Sequence, residues 1–455
     1  MKAFRLRRHR FACRQAVAGA LVCAGAASIG SVRAQEPARP PELQAPSIAV
    51  RGQLASRYVL RWNGNTHDND LYETLSLDIG REESDAVTGH LYGRLAADLD
   101  GSRDGSSPYF SLQDTRSGGV DAQLYDAYAD LHRIDGVDAL RLGRQTIYDT
   151  PETAFFDGVH VRTAPTAAGA IQVGGYGGVS THLYESSSDG DWTLGLYGEC
   201  RPWDGGRLRL DWMYLEDEAL LGEHEDSLFS GGVWHTIGNV QLEAQYSRIE
   251  NRDRDVRARG VWTLPEERFT GQITWYQLLT TQRSQVLEAD PFFQSLHELF
   301  PFWQLSAMVG KGVVEHIDVD LGADVRRVAD DGDIGTFNHD YERWYVNVNG
   351  RDLIADALTI TLTADLWHAE GQDVETWAGE ISQEYDDLWT LSAGSYYSLY
   401  KFTLFANDER DHVRTYYAKV RYEASHAADF DLAYEFERTD LDDFQVLRMG
   451  FTWRF

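Results

Sequence analysis

The segment Leu447-Arg-Met-Gly-Phe-Thr-Trp-Arg-Phe455 sets how the rest of the chain is read. Leu447, Met449, Phe451, Trp453 and Phe455 recur at every second position, and Arg448, Gly450, Thr452 and Arg454 lie between them. Side chains of a β-strand alternate between its two faces, so this segment has one apolar and one polar face. The polar face carries two arginines and needs water or carboxylates. The apolar face, rich in large rings, needs either a second sheet or lipid.

Working outward, the same period of two returns in segments of about ten residues. In LYETLSLDIG, Leu75, Leu77 and Ile79 oppose Thr74, Ser76 and Asp78. In ALTITLTADLW, Leu358, Ile360, Leu362, Ala364 and Leu366 oppose threonines and Asp365, and YYAKVRYEA and DFDLAYEFE behave alike. The connections between segments are of two kinds. Stretches 135–139, 202–206, 237–239, 355–357 and 425–429 are tight, whereas 100–121, 216–227, 281–301 and 328–340 are long and mostly acidic. FFQSLHELF, at 292–300, is the best helical candidate. The pattern predicts an all-β fold: a transmembrane antiparallel β-barrel of about 22 strands, with 16 to 22 possible. Short turns belong to the periplasmic rim and longer loops to the extracellular rim. Placing Phe430 opposite Trp453 makes the outer face of the last two strands apolar. It sets Asp429 against Arg454 and Glu435 against Arg448, and a shift by two residues keeps the face apolar.

Composition agrees. The 455 residues hold 72 acidic and 42 basic side chains, a net charge of −30, which argues against nucleic-acid binding. Residues 1–34 combine a basic start, a small-residue apolar run and Val32-Arg33-Ala34. They are expected to be a cleaved signal peptide. Seven basic and no acidic residues would leave with it, so the remainder would bear −37. Residues 35–50 form a Pro-rich lead-in on the periplasmic side, and 51–455 the barrel. Cys200 is then the one remaining cysteine, which excludes a disulfide framework and a CxxCH haem site. The histidines show no HExxH spacing, so no metal or other cofactor is expected. No GxSxG occurs, and the protein is expected not to be an enzyme.

With 13 Trp and 23 Tyr, the chain can furnish aromatic belts where strands cross lipid headgroups. The ending Phe451-Thr-Trp453-Arg-Phe455 resembles the terminal strand that the barrel-assembly machinery recognises in Gram-negative outer-membrane proteins. That resemblance implies a porin-like barrel in the cell outer membrane, in contact with its lipid and lipopolysaccharide. A second stretch, Leu140-Arg-Leu-Gly-Arg-Gln145 followed by Phe156-Asp-Gly-Val159, resembles the alginate-export group of barrels. An exporter of a polyanion wants a basic lumen, and this chain is acidic.

Pore-lining candidates follow from the polar faces: Arg141, Arg144, His160, Arg162, Glu435 and Arg448. Inward arginines pair readily with inward carboxylates, here Asp126 and Asp130 on the preceding strand. Strict alternation from Leu140 and Leu142 sends Arg144 outward unless a bulge intervenes near Gly143. The function expected is passive passage of small solutes through a polar, charged lumen. Export of a polysaccharide is one alternative. A sheath around a periplasmic partner such as a multihaem cytochrome is another.

Overall fold

The structure is a computed structural model. It describes residues 48–64, 66–100, 119–166, 170–181, 191–219, 222–281, 299–335, 338–369, 371–403, 408–439 and 442–455. Residues 1–47, and with them the expected signal peptide and most of the lead-in, lie outside the described set, as does most of the 292–300 segment.

Twenty-two strands follow one another in chain order. They are β1 (Val50–Asn63), β2 (Thr66–Ile79), β3 (Val87–Asp98), β4 (Val120–Leu131), β5 (Val137–Ile147), β6 (Ala154–Thr163), β7 (Gln172–Ser180) and β8 (Trp192–Cys200). Next come β9 (Gly206–Ala219), β10 (Gly222–Ile237), β11 (Val240–Ile249), β12 (Arg252–Leu264), β13 (Phe269–Leu278), β14 (Phe302–Val314) and β15 (Ile317–Val328). The ring is completed by β16 (Tyr341–Arg351), β17 (Leu358–Ala369), β18 (Gln372–Tyr385), β19 (Trp389–Thr403), β20 (Asp408–Ser425), β21 (Ala428–Arg438) and β22 (Asp443–Arg454). Every strand pairs antiparallel with its neighbours, and β22 pairs with β1, so the sheet is a closed ring. Closure gives every strand two neighbours, as a lipid-embedded sheet requires, although the β4–β5 ladder joins only Ala127–Leu131 to Leu140–Arg144 and the β18–β19 ladder only Gly379–Tyr385 to Trp389–Ser395.

The seam that closes the ring is made by the quoted segment. The Phe455 N–H donates to the Gly52 carbonyl at 3.0 Å, and the Gly52 N–H donates back to the Phe455 carbonyl at 2.8 Å. A Cβ at Gly52 would stand 2.5 Å from the tip of the Phe455 ring, so any larger residue there displaces that ring. Trp389, Tyr422, Phe430 and Phe451 then carry a chain of outer-face rings around the rim, with centroids 4.2, 6.5 and 4.9 Å apart in turn.

The rim holding Val50 and Phe455 is called the terminal rim. Its turns are short, as in the two-residue connection Gly238-Asn239, where Gly238 takes φ 55°. The chain passes from β3 to β4, from β13 to β14 and from β15 to β16 on the opposite, distal rim, where Asn63 also pairs with Thr66 and Ala369 with Gln372. One expected loop is not a loop. Residues 216–219 and 222–227 continue β9 and β10 as a tall hairpin, with Glu216 paired to Glu225. The acidic composition concealed this strand extension.

The register of the last two strands also differs from the sequence expectation, by the two-residue shift that preserves the apolar face. Phe430 faces Phe451, Leu432 faces Met449 and Tyr434 faces Leu447. Asp429 faces Thr452 and Glu435 faces Val446, yet both anticipated ion pairs form diagonally. Arg454 reaches Asp429 at 3.0 Å and Arg448 reaches Glu435 at 2.7 Å. Diagonal neighbours on one sheet face lie within reach of long side chains.

Candidate functional site

The two faces of the ring are unlike. Outward positions are apolar and exposed: Leu210 at 71%, Leu196 at 57% and Trp377 at 55% are examples. Inward positions carry the arginines, and a recurring unit organises them. Each guanidinium lies over an inward ring and hydrogen-bonds a carboxylate. Arg141 is 3.7 Å from the Tyr128 ring centre and donates through Nε and Nη2 to Asp130 at 2.8 and 3.0 Å. Arg209 is 4.4 Å over Tyr197 and donates to Asp211 at 2.8 Å. Arg343 lies 4.6 Å over Tyr345, between Asp365 at 2.7 Å and Asp324 at 3.7 Å. Ring and carboxylate together hold the flat cation in one orientation.

Several units join into a band along the inner wall. Asp78 bonds the His90 ring at 2.6 Å, His90 stacks on Tyr128 at 5.1 Å, and Tyr128 supports Arg141. His160 stands opposite Arg141 and bonds the Tyr197 hydroxyl at 2.9 Å, which leads on to Arg209. The band thus runs from β2 to β9. Five of the six sequence candidates face the lumen: Arg141 and His160 within the band, Arg162 paired to Asp138 at 2.5 Å nearer the terminal rim, and Glu435 with Arg448 beyond it.

Arg144 does not face the lumen. It pairs across with Ala127 and Asp157 on the same face as Leu142 and Val159. There it forms a two-pronged ion pair with Asp157, at 2.8 and 2.7 Å, and donates to the Leu124 carbonyl at 3.1 Å. The bulges fall at Leu124–Asp126 in β4 and at Val137–Ala139 in β5, so neither reverses Arg144. Gly143 serves another purpose. It takes φ 125°, and a Cβ there would meet the Ala127 carbonyl oxygen at 2.3 Å.

Two distal connections bend into the lumen, and sequence reading missed both. Residues 148–153, between β5 and β6, reach β9, where the Asp149 carboxylate and carbonyl both accept from Arg209. The same loop reaches β12, where Arg254 bonds the Glu152 carboxylate and the Pro151 carbonyl. Beneath it the inner wall is apolar: Phe156, Met213, Leu228, Tyr176, Tyr197 and Ala154 form a buried cluster. Residues 338–340, before β16, meet the distal parts of β19 and β20, beyond the point where the β18–β19 ladder ends at Gly379 and Ser395. His339 stacks on Tyr400 of β19 at 3.9 Å and bonds Glu409 of β20 at 3.1 Å. No local signal announces either fold-back, because the anchors are 60 to 103 residues away in sequence.

Among the described residues, one group of acidic side chains has metal-ligand spacing: Asp68, Asp70 and Asp98, near the distal end of the inner wall. Arg61 donates to both Asp68 and Asp70, and the Tyr72 hydroxyl donates to Asp70 at 3.0 Å, so the cluster already holds a cation of its own. The wall as a whole is charge-paired. The excess acid sits largely on the rims, at residues such as Glu82, Glu83, Asp330, Asp331, Asp386 and Asp387.

The chain matches no known family model and no characterised relative in sequence. It is similar in structure to the translocation pore of the P pilus usher PapC, with 8% identity over 90% of this chain and 99% of that one and a TM-score of 0.49. It is also similar to OccAB4 and OccAB3 of Acinetobacter baumannii. Each is 10% identical over 90% of this chain, with 99% and 100% of those chains covered and TM-scores of 0.45 and 0.43. The barrel rests on the strand pairing itself and not on these likenesses.

Proposed function

We propose that the protein is an outer-membrane channel through which small hydrophilic solutes pass passively. One observation carries this reading: a closed ring of 22 strands with exposed apolar side chains outside and a polar, ion-paired wall inside. Side chains alone do not fill the lumen of a barrel this large, which leaves water, loops or a partner. The inward segments 148–153 and 338–340 narrow the passage and act as its size filter. Because the wall arginines and carboxylates neutralise one another, the wall itself selects weakly. The acidic rims draw cations to the mouth and give a mild cation preference. Export by a signal peptide and folding by the barrel-assembly machinery, with Phe451, Trp453 and Phe455 as the recognised face, complete the reading.

Swelling of proteoliposomes in neutral sugars of increasing size tests it. The expected result is rapid entry of small sugars and a sharp cut-off, with the cut-off moving to larger sugars when residues 149–152 are replaced by glycines. A wild-type barrel that admits nothing, and admits small sugars only on loss of a co-purifying haem protein, would favour the sheath. Loss of a secreted glycan on gene deletion, with no sugar entry, would favour export.

A further inference from the structure

The outer face is not uniform around the ring. Rings face outward in nearly every strand from β8 round to β1, among them Trp192, Trp212, Trp275, Trp344, Trp377 and Trp453. From β2 to β7 the strands turn few rings outward among the described residues: Tyr72, Tyr92, Tyr125, Tyr128 and Tyr176 all point into the lumen, while Phe155 faces out near the distal end of β6 and Tyr148 is exposed in the β5–β6 connection. The outer surface at the middle of this arc alternates small residues with aliphatic ones: Gly89, Gly93 and Ala97 with Leu91 and Leu95 on β3, and Ala122, Ala127 and Ala129 with Val120 and Leu124 on β4. Aromatic side chains anchor a barrel where it meets lipid headgroups, and small residues let two backbones approach closely.

The same arc bears ionised groups at mid-depth. Glu73 lies six residues in from Ile79 at the terminal end of β2. Arg144 lies seven in from Val137, and Asp157 six in from Thr163. At 3.3 Å per residue and a tilt near 40°, all three sit about 15 Å from the terminal rim, within the hydrocarbon band. At the corresponding level the strands from β8 to β1 present Trp212, Tyr246, Trp275, Ala323, Ala418 and the like, all uncharged. An arginine facing lipid at that depth costs about 2–4 kcal/mol, and carboxylates somewhat less. Glu73 has the Ser56 hydroxyl at 2.6 Å and no cation on its own chain among the described residues.

We propose that the β2–β7 arc is covered by a second copy of this chain, related by a two-fold axis along the membrane normal between β3 and β4. Such an axis sets β3 against β4 and β2 against β5, so that Glu73 of each copy meets Arg144 of the other at the same depth. The contact is isologous, its centre alternates glycine and alanine with leucine, and each Glu73 approaches the guanidinium that Asp157 of the facing copy already holds from one side. The proposal rests on the reading of the outer face as membrane-embedded and goes beyond the channel reading, which a single barrel would satisfy.

The test places single cysteines in a Cys200→Ser background, in native envelopes. Ala127→Cys is expected to give an oxidised dimer, whereas Ala418→Cys, on the aromatic side of the ring, stays monomeric. Mass photometry of the wild type in mild detergent should show a dimer. Ala127→Trp, which adds a ring to a lipid-tolerant face, and Glu73→Lys, which sets like charges together, should both yield monomers. Heat-modifiable mobility in each variant shows that the barrel still stands, so a failed contact is distinguished from a failed fold. Equal crosslinking at residues 127 and 418 would overturn the proposal. So would a folded wild type that is monomeric throughout, with or without bound lipopolysaccharide.

Discussion

The inner walls of β5–β10 and of β14–β18 follow the same alternation but meet different surroundings. Under the 148–153 loop, inward positions hold Phe156 and Met213 at 0% exposure and Leu228 at 2%, a small water-free core of the kind found in soluble proteins. Across β14–β18 the inward positions hold a hydrogen-bonded polar lattice. Thr363 donates to Asn347 at 2.7 Å, Thr361 donates to Asn349 at 2.9 Å, and Arg343 lies between Asp324 and Asp365. Alternation fixes which side chains face in. It does not fix whether they meet water. A connection long enough to fold back, with arginines placed to receive it, turns one stretch of lumen wall into a core and leaves the other as the surface that solutes meet.

The largest difference between the two walls should appear in stability. Phe156→Ala removes a packed ring and should cost about 3–5 kcal/mol, lowering the temperature at which gel mobility changes. Thr363→Ala on the wet wall should cost under about 1.5 kcal/mol, because water replaces the hydrogen bond. Equal losses would show that the apolar cluster is not a core. Next comes permeation. Arg209→Met removes both bonds that anchor Asp149, leaving it only the longer 3.8 Å contact with Arg207 among the described residues, and should raise single-channel conductance, and adding Arg254→Met, which frees Glu152, should raise it further. No rise from the double variant would show that the loop does not narrow the passage.

Selectivity should report on the opposite wall. Arg343→Leu leaves Asp324 and Asp365 without their cation and should move the reversal potential in a salt gradient toward cations. The same change at Arg162, which is half-exposed and among the described residues holds Asp138, should move it less. The smallest effect is expected from Thr361→Val. Loss of one half-buried hydroxyl and its bond to Asn349 should shift stability by less than about 1 kcal/mol and leave conductance unchanged.

Much of this architecture was legible in the sequence, for a physical reason. A strand between lipid and water must alternate, so strand number, facing, the apolar terminal strand and the pairing of Arg141 with Asp130 could all be read from residue spacing. Alternation from Leu140 and Leu142 also places Arg144 outside, where it pairs across with Ala127 and Asp157. Register was less legible, because a two-residue slip leaves an apolar face apolar and long arginines reach their partners either way. The β9–β10 hairpin hid behind an acidic composition that looks like a loop. The inward course of 148–153 left no trace in YDTPET, since what holds it is Arg209 and Arg254 on strands far along the chain.

The central claim is a water-filled lumen narrowed by a loop held to one wall. Single-channel recording in planar bilayers tests it most directly, comparing the wild type with the Arg209→Met, Arg254→Met double variant. The account predicts discrete ohmic steps with a mild cation preference in the wild type and larger steps in the variant. Folded, heat-modifiable protein that gives no steps in either form would contradict it.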